Sequence, residues 1–197
     1  MSSEPNFEVV LVRHGQTEWS AAGKHTGNRD VPLTPEGELE ATTLAPRLAG
    51  REFATVLCSP LVRARLTCEI AGLADRAQLN DELREWDYGD YEGLTTPQIL
   101  RRSPDWLLWR DGCPGGESPD EISARCDHVV GELLELSSGD AGDVILFAHG
   151  HLLRALAARW CELPVAAGRR LMLGTAAIST LGFERQTCAI KEWNACP

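Results

Sequence analysis

Two apolar runs in this chain end on the same pair of residue types. Val9 to Val12 stops at Arg13-His14-Gly15, and the run 143–148 stops at His149-Gly150-His151. Histidine can serve as a nucleophile or proton carrier near neutral pH. Arginine offers a fixed fork of donors for phosphate or carboxylate. Glycine lets another group approach the backbone closely. One Arg-His-Gly tripeptide could equally end a strand in a surface turn, but a second run ending in His-Gly makes coincidence a poor explanation.

Three further segments carry polar residues that a packed core does not demand. Gln16, Ser20, His25, Thr26 and Gly27 follow the first histidine in a long loop. Arg63 stands in the first turn of a helix that begins after Ser59-Pro60, where the helix dipole disfavours a cation. A bound anion would explain it; an exposed arginine on a helix face is the plainer alternative. Residues 83–93 (Leu-Arg-Glu-Trp-Asp-Tyr-Gly-Asp-Tyr-Glu-Gly) combine acids, aromatics and glycines around Glu85 and Tyr88. Carboxylates beside aromatic bulk are the setting in which one carboxyl is desolvated and turned towards acid-base work. An irregular packed loop would show the same composition. Arg154 follows His151 on a helix start.

The elements that must position these groups are legible. A short apolar run bounded by polar residues reads as a buried strand, and open α/β sheets bind ligands at the carboxyl ends of such strands. Ser or Thr before Pro pairs an N-cap with a first-turn residue. It occurs at Thr34-Pro35, Ser59-Pro60, Thr96-Pro97, Ser103-Pro104 and Ser118-Pro119, the last with Glu121 completing a capping box. The expected order is strand 7–13, helix 35–49, strand 55–58, helix 61–72 and an extended piece at 77–80. A Gly-rich stretch 83–117 with short helices follows. Helix 119–137, strand 143–148, helix 150–161 and strands near 170–173, 177–183 and 187–193 complete the chain, with a turn near Glu184 to Gln186 that makes the last edge antiparallel. Alternating strands and helices specify an α/β fold: a three-layer sandwich with a mainly parallel central sheet and helices on both faces. Residues 1–197 read as one domain, without linker, repeat or low-complexity tract.

Composition narrows the function. The net charge of −10 disfavours nucleic acid as a partner, because sequence-independent binding relies on Lys and Arg neutralising phosphates. An anionic substrate therefore needs its positive charge gathered in one cleft. No apolar stretch approaches the length of a membrane span. Met1 to Asn6 lacks a basic region leading into an apolar core, so no signal peptide is read and a cytoplasmic location is expected. The seven cysteines are scattered, with no Cys-x-x-Cys, as for reduced thiols. The chain has no P-loop, no cysteine-phosphatase loop and no His-Glu-x-x-His. His149-x-His151 alone is too little for a metal centre, so neither metal nor cofactor is expected.

Leu11-Val-Arg-His-Gly-Gln-Thr-Glu-Trp19 resembles the signature of the histidine phosphatase superfamily, also called phosphoglycerate-mutase-like. Four more blocks match in order: Ser59-Pro-Leu-Val-Arg63-Ala-x-x-Thr67, Glu85-x-x-x-Gly89-x-x-Glu92-Gly93, Gly115-Gly-Glu-Ser118 and Phe147-Ala-His149-Gly150. Within the family, the chain is most similar to small bacterial acid phosphatases and the sedoheptulose-1,7-bisphosphatase branch. The resemblance implies that His14 is a nucleophile forming a phosphohistidine and that Arg13 and Arg63 grip the phosphoryl oxygens. It further implies that His149 donates to the same oxygens and that Glu85 is general acid, then base. Gln16, Ser20, Thr26, Gly27, Tyr88 and Arg154 would contact substrate, whereas His25 and His151 fall to structural or peripheral places. The implied activity is hydrolysis of small phosphorylated metabolites, sugar phosphates or bisphosphates. The alternative is a cofactor-dependent phosphoglycerate mutase. Similar mutases bind the substrate carboxylate through a paired-Arg segment in a longer central insertion. Arg101-Arg102 imitates that segment in a central region that is short here, and is read as a decoy on a helix. A binding module that has lost its chemistry should lack one of the five core residues, and none is missing. The Trp- and Leu-rich stretch Trp106 to Trp109 is either core or a homodimer interface.

Overall fold

The computed structural model describes residues 7–136 and 142–196. Met1 to Asn6, and the last residue of the expected helix 119–137, lie outside them. The elements, in chain order, are β1 (Val9–Arg13), α1 (Glu18–Ala21), α2 (Pro35–Thr42), α3 (Leu44–Leu48), β2 (Phe53–Cys58), α4 (Val62–Ile70) and β3 (Ala77–Leu79). They continue with α5 (Thr96–Leu100), α6 (Leu108–Asp111), α7 (Pro119–Leu136), β4 (Asp143–Ala148), α8 (Gly150–Trp160), β5 (Ile178–Glu184) and β6 (Thr187–Ala195).

The strands form one sheet in the order β3-β2-β4-β1-β5-β6. β3, β2, β4 and β1 run parallel, while β5 pairs antiparallel with both β1 and β6. Alternate residues of the central strands face opposite ways. Val9 and Leu11 of β1, with Val144 and Leu146 of β4, pack against Val129 and Leu133 of α7 and Leu152 and Leu156 of α8. Val10, Val12, Ile145 and Phe147 pack against Ala41 and Leu44 on one side and Ala64 and Cys68 of α4 on the other. Both faces are covered, as the continuous apolar runs of β1 and β4 require. Arg51 pins the opposite end of the sheet, bridging Glu8 at 2.7 Å and Asp143 at 2.6 Å beside the starts of β1 and β4.

Four local expectations fail for identifiable reasons. Helix 35–49 is two helices, broken at Thr43. Pro46 has no N–H to give the carbonyl four residues back, so it is tolerated only in the first turn of a new helix. The hydroxyls of Thr42 and Thr43 take up the carbonyls of Leu39 and Glu40, each at 2.7 Å. The strand near 170–173 does not form; a 3-10 helix, Val165–Arg170, precedes an unpaired stretch. Side chains hold that stretch instead, with Trp193 Nε1 donating to Met172 O at 2.6 Å and Arg13 to Leu173 O at 2.5 Å. The helix expected at Thr96-Pro97 is capped one residue earlier, where the Gln98 side chain accepts from Thr95 N at 2.8 Å. No helix follows Ser103-Pro104; the Ser103 hydroxyl meets that of Tyr91 at 3.2 Å. Within Trp106 to Trp109, Leu108 and Trp109 are buried in the chain's own core and Trp106 and Leu107 pack against it, so the stretch is core.

Candidate active site

Three neighbouring parallel strands deliver three polar residues to one edge. His14 follows β1, Ser59 follows β2 and His149 follows β4. The ladder continues one step into the site: His14 N donates to Ala148 O at 3.0 Å, and Ser59 N to Phe147 O at 2.9 Å. The ring centroids of His14 and His149 are 5.2 Å apart. Gly15 is required by close approach, since a Cβ there would lie 2.2 Å from the carbonyl oxygen of Gly37. That contact presses the loop after His14 onto the first turn of α2. Gly150 on the other strand is a milder case, where a Cβ would lie 3.3 Å from the side-chain Nε of Arg13.

His14 is buried, and its Nδ1 lies 2.7 Å from Gly15 O. A carbonyl only accepts, so Nδ1 carries the proton and Nε2 keeps a bare lone pair. Burial, then the charges of Arg63 and Arg13, hold the His14 pKa well below its ordinary value. The ring is therefore neutral and nucleophilic. Arg13 leaves Nε buried without a partner among the described residues.

Arg63 is fully buried and almost fully engaged. Its Nε donates to His149 Nδ1 at 3.1 Å, and its terminal nitrogens donate to the carbonyls of Thr26, Gly27 and Arg29 at 3.1, 2.9 and 3.0 Å. Thr67 completes the clamp, donating to Arg63 O at 2.7 Å and accepting from Gly15 N at 3.0 Å. The unfavourable helix position thus has an internal explanation besides a bound anion. Because the guanidinium can only donate, His149 Nδ1 must accept, and its Nε2–H donates to Ser59 Oγ at 2.7 Å. Both ring nitrogens are occupied, so the expected donation from His149 to phosphoryl oxygens is not made ready in this geometry. Ser59 supplies that acceptor instead of capping α4, whose N-cap is Leu61.

Glu85 sits at the amino end of α8. Its Oε1 accepts from Trp86 N at 2.9 Å and Leu152 N at 2.8 Å, and its Oε2 accepts from His151 N at 3.0 Å. Helix amino ends favour such a carboxylate. Arg125, which the sequence reading missed, fixes the segment from behind. It donates to the carbonyls of Glu82 and Arg84 at 2.7 and 2.8 Å and pairs with Glu117 at 2.7 Å. Glu117 in turn accepts from Asp87 N at 2.8 Å. An arginine i+8 from the acid of the fourth block was the available signal.

A cavity of about 230 Å³ opens here, lined by Arg13, His14, Glu85, Tyr88 and Arg154 among others. Ser20 and Thr26 line it as well. Gln16 and Gly27 do not line it. Gln16 Oε1 accepts from Thr34 Oγ1 at 3.0 Å, and Gly27 acts through its carbonyl on Arg63. His25 and His151, read from the sequence as structural or peripheral, both line the cavity, with Lys24 and Thr96. Arg101 and Arg102 are exposed away from it. No group of three or more His, Cys, Asp or Glu side chains among the described residues could hold a metal ion. Nor is any helix there long and apolar enough to cross a membrane.

A neutral imidazole with a bare lone pair, beside a partly unpaired arginine and a carboxylate across one small cavity, can accept a phosphoryl group and exchange a proton with what leaves. The comparisons with known proteins agree with that class. Residues 9–196 match the model of the histidine phosphatase superfamily (branch 1), and the chain belongs to that family. An acid phosphatase of Mycobacterium tuberculosis is 45% identical over 182 residues, covering 91% of this chain and 88% of its own length. The sedoheptulose 1,7-bisphosphatase of Saccharomyces cerevisiae is 39% identical over 184 residues, covering 79% of this chain and 68% of its own. A solved structure of an open reading frame product of Mycobacterium tuberculosis superposes with a TM-score of 0.92 at 41% identity, covering 97% of this chain and 98% of that one.

Proposed function

We propose that the protein is a phosphomonoesterase acting on small phosphorylated metabolites of the sugar phosphate class through a phosphohistidine on His14. The observation that carries this is the Nδ1–H bond to Gly15 O at 2.7 Å, which leaves Nε2 bare in a buried site between two arginines. In the first step Nε2 bonds to phosphorus as the ester P–O bond breaks, and the departing oxygen takes a proton from Glu85. In the second, Glu85 takes a proton from water, whose oxygen bonds to phosphorus as the P–N bond breaks. Arg13, which lines the cavity, and the remaining N–H of Arg63 offset the charge that spreads over the phosphoryl oxygens. His149 holds Arg63, and its Nε2–H is the ring donor able to turn from Ser59 Oγ to a phosphoryl oxygen. Tyr88, Thr26, Ser20 and Arg154 face the leaving alcohol.

The mutase reading is disfavoured because the paired arginines at 101 and 102 stand outside the cavity, which leaves a substrate carboxylate without the expected clamp. The proposed location is the cytoplasm, supported by seven free cysteines. The test is an alkaline quench of enzyme turning over a 32P-labelled sugar phosphate. Wild type should retain acid-labile, base-stable label and release inorganic phosphate without a bisphosphorylated primer. Label retained by His14→Ala would overturn the assignment. So would primer-dependent isomerisation with little phosphate released.

A further inference from the structure

The proposed reaction gives no task to His25 or His151, yet both rings face the cavity. Their planes lie within 10° of parallel, with centroids 6.2 Å apart. His25 Nδ1 is 2.9 Å from Leu94 O. The carbonyl accepts, so His25 carries its proton on Nδ1 and presents a bare Nε2. His151 Nδ1 is 2.6 Å from the Tyr88 hydroxyl. Tyr88 is only 1% exposed, and its hydroxyl has no other partner among the described residues. A buried hydroxyl proton costs free energy if left unpaired. The arrangement that satisfies it has Tyr88 O–H donating to His151 Nδ1, which places the His151 proton on Nε2. Burial holds both imidazoles neutral, pushing each pKa down, and pushes that of Tyr88 well up so that its proton stays on. Neither Nε2 has a partner among the described residues, and neither is among the sealed, unpaired atoms.

The cavity therefore carries two neutral imidazoles of opposite polarity, one offering a lone pair and the other an N–H. A phosphate or carboxylate has only acceptors, and would set its charge against the His25 lone pair. A hydroxyl both donates and accepts, and matches the two rings at once. We propose that His25 and His151 together read a hydroxyl of the leaving alcohol, so that the site selects phosphate esters of polyols, with Tyr88 as the positioning residue that fixes the His151 tautomer. This inference rests on the phosphatase reading and adds a specificity to it.

The experiment compares kcat/KM for glycerol 3-phosphate and for propyl phosphate, which lacks the hydroxyls. Two neutral hydrogen bonds correspond to a preference of about a hundredfold for the glycerol ester in wild type. His151→Phe and His25→Phe should each cut that ratio about tenfold. Tyr88→Phe keeps the ring and lets the His151 proton move, and should cut the ratio while leaving the protein folded. Turnover of propyl phosphate serves in His25→Phe and His151→Phe as the measure of intact chemistry, and Tyr88→Phe is judged by the ratio and by the state of the His151 ring. Histidine 15N shifts should report an Nε2–H tautomer for His151 in wild type and a mixture in Tyr88→Phe. A wild type that hydrolyses both esters equally well overturns this inference and leaves the phosphatase standing. Variants that lose both activities in equal proportion also overturn it, because they mark the rings as packing alone. Wild type that releases phosphate from neither ester, or from any sugar phosphate, removes the phosphatase reading and this inference with it.

Discussion

His14 and His149 occupy matching places and are held in opposite ways. Each follows a parallel strand, each precedes a glycine that lets a neighbour press close, and each is buried at the same edge. The His14 ring makes one bond, through Nδ1 to its own neighbour's carbonyl, and leaves Nε2 bare. The His149 ring is bound at both nitrogens, by Arg63 and Ser59. Burial and nearby cations depress both pKa values, so charge does not separate the two. What separates them is the partner of one nitrogen. A nucleophile needs a lone pair with nothing on it, and only the first histidine has one.

The comparison breaks most sharply at His14. His14→Ala should lower turnover of any phosphomonoester by about four orders of magnitude or more, because the covalent carrier is lost and the bare Nε2 of His25 has no arginine pair beside it to hold a phosphoryl group. Steady-state release of phosphate measures this. Retention of a tenth of wild-type activity would mean that another group takes the phosphoryl. Glu85 comes next. Glu85→Gln should cost about two to four orders of magnitude with alkyl phosphates. The loss should be far smaller with p-nitrophenyl phosphate, whose leaving oxygen needs little protonation. The amide can keep its oxygen where Oε1 accepts two N–H groups, but it turns its NH2 towards His151 N. Equal losses on both esters would reduce Glu85 to a cap for α8.

The layered fold and the rows of strand-end residues were legible because they follow from local pattern. Apolar runs of strand length, Pro and Thr at helix starts, and the turn before β6 are short-range signals. The family blocks likewise marked His14, Arg63, Glu85 and His149. What could not be read were bonds between residues far apart in the chain. That Ser59 would serve His149 rather than cap α4 depends on the adjacency of β2 and β4. That Arg63 would turn inward to the carbonyls of Thr26, Gly27 and Arg29 depends on where the loop after α1 is laid. That His25 and His151 would both face the cavity is hidden for the same reason. They are 126 positions apart, and only the path of two loops brings their rings together. The absent strand at 170–173 was a competition that the sequence hides: Arg13 and Trp193 claim carbonyls that a ladder would have used.

The difference between the two histidines also predicts a difference in stability. Removing His14 gives up a single bond to a neighbouring carbonyl. Removing His149 leaves the Nε of a fully buried arginine without a partner and the Oγ of buried Ser59 with only the 3.4 Å contact from Leu61 N. Unpaired buried groups cost about 1–3 kcal/mol each, more when charged. His149→Ala is thus expected to lower stability by about 2–4 kcal/mol, and His14→Ala by about 1 kcal/mol. Urea denaturation compares them. His149→Ala should also slow formation of the phosphohistidine without abolishing it. Equal destabilisation by the two substitutions would show that the Arg63 and Ser59 contacts contribute little.

The smallest effect is one of pH, and it tests what the two rings share. The folded protein holds His14, His149 and His151 with pKa values below that of an unfolded histidine, about 6.5. Well above that value the rings are neutral in both states, and their protonation does not affect folding. As the pH falls towards it and below, the unfolded chain takes up protons that the folded chain refuses, so stability declines until the folded pKa values are reached. Each such histidine contributes a slope of at most about 1.4 kcal/mol per pH unit within that window. Urea unfolding at pH 7.5, 6.5 and 5.5 should show stability falling slightly over the first step and about three times as much over the second. His14→Ala and His149→Ala should each flatten the second step by one proton's worth. Because the nucleophile stays neutral there, kcat/KM should not fall through the ordinary histidine range as the pH drops. Stability unchanged between pH 6.5 and 5.5, with activity lost over the same interval, would mean that the buried rings accept protons in the folded state, and the lone pair on which His14 depends would not survive mild acid.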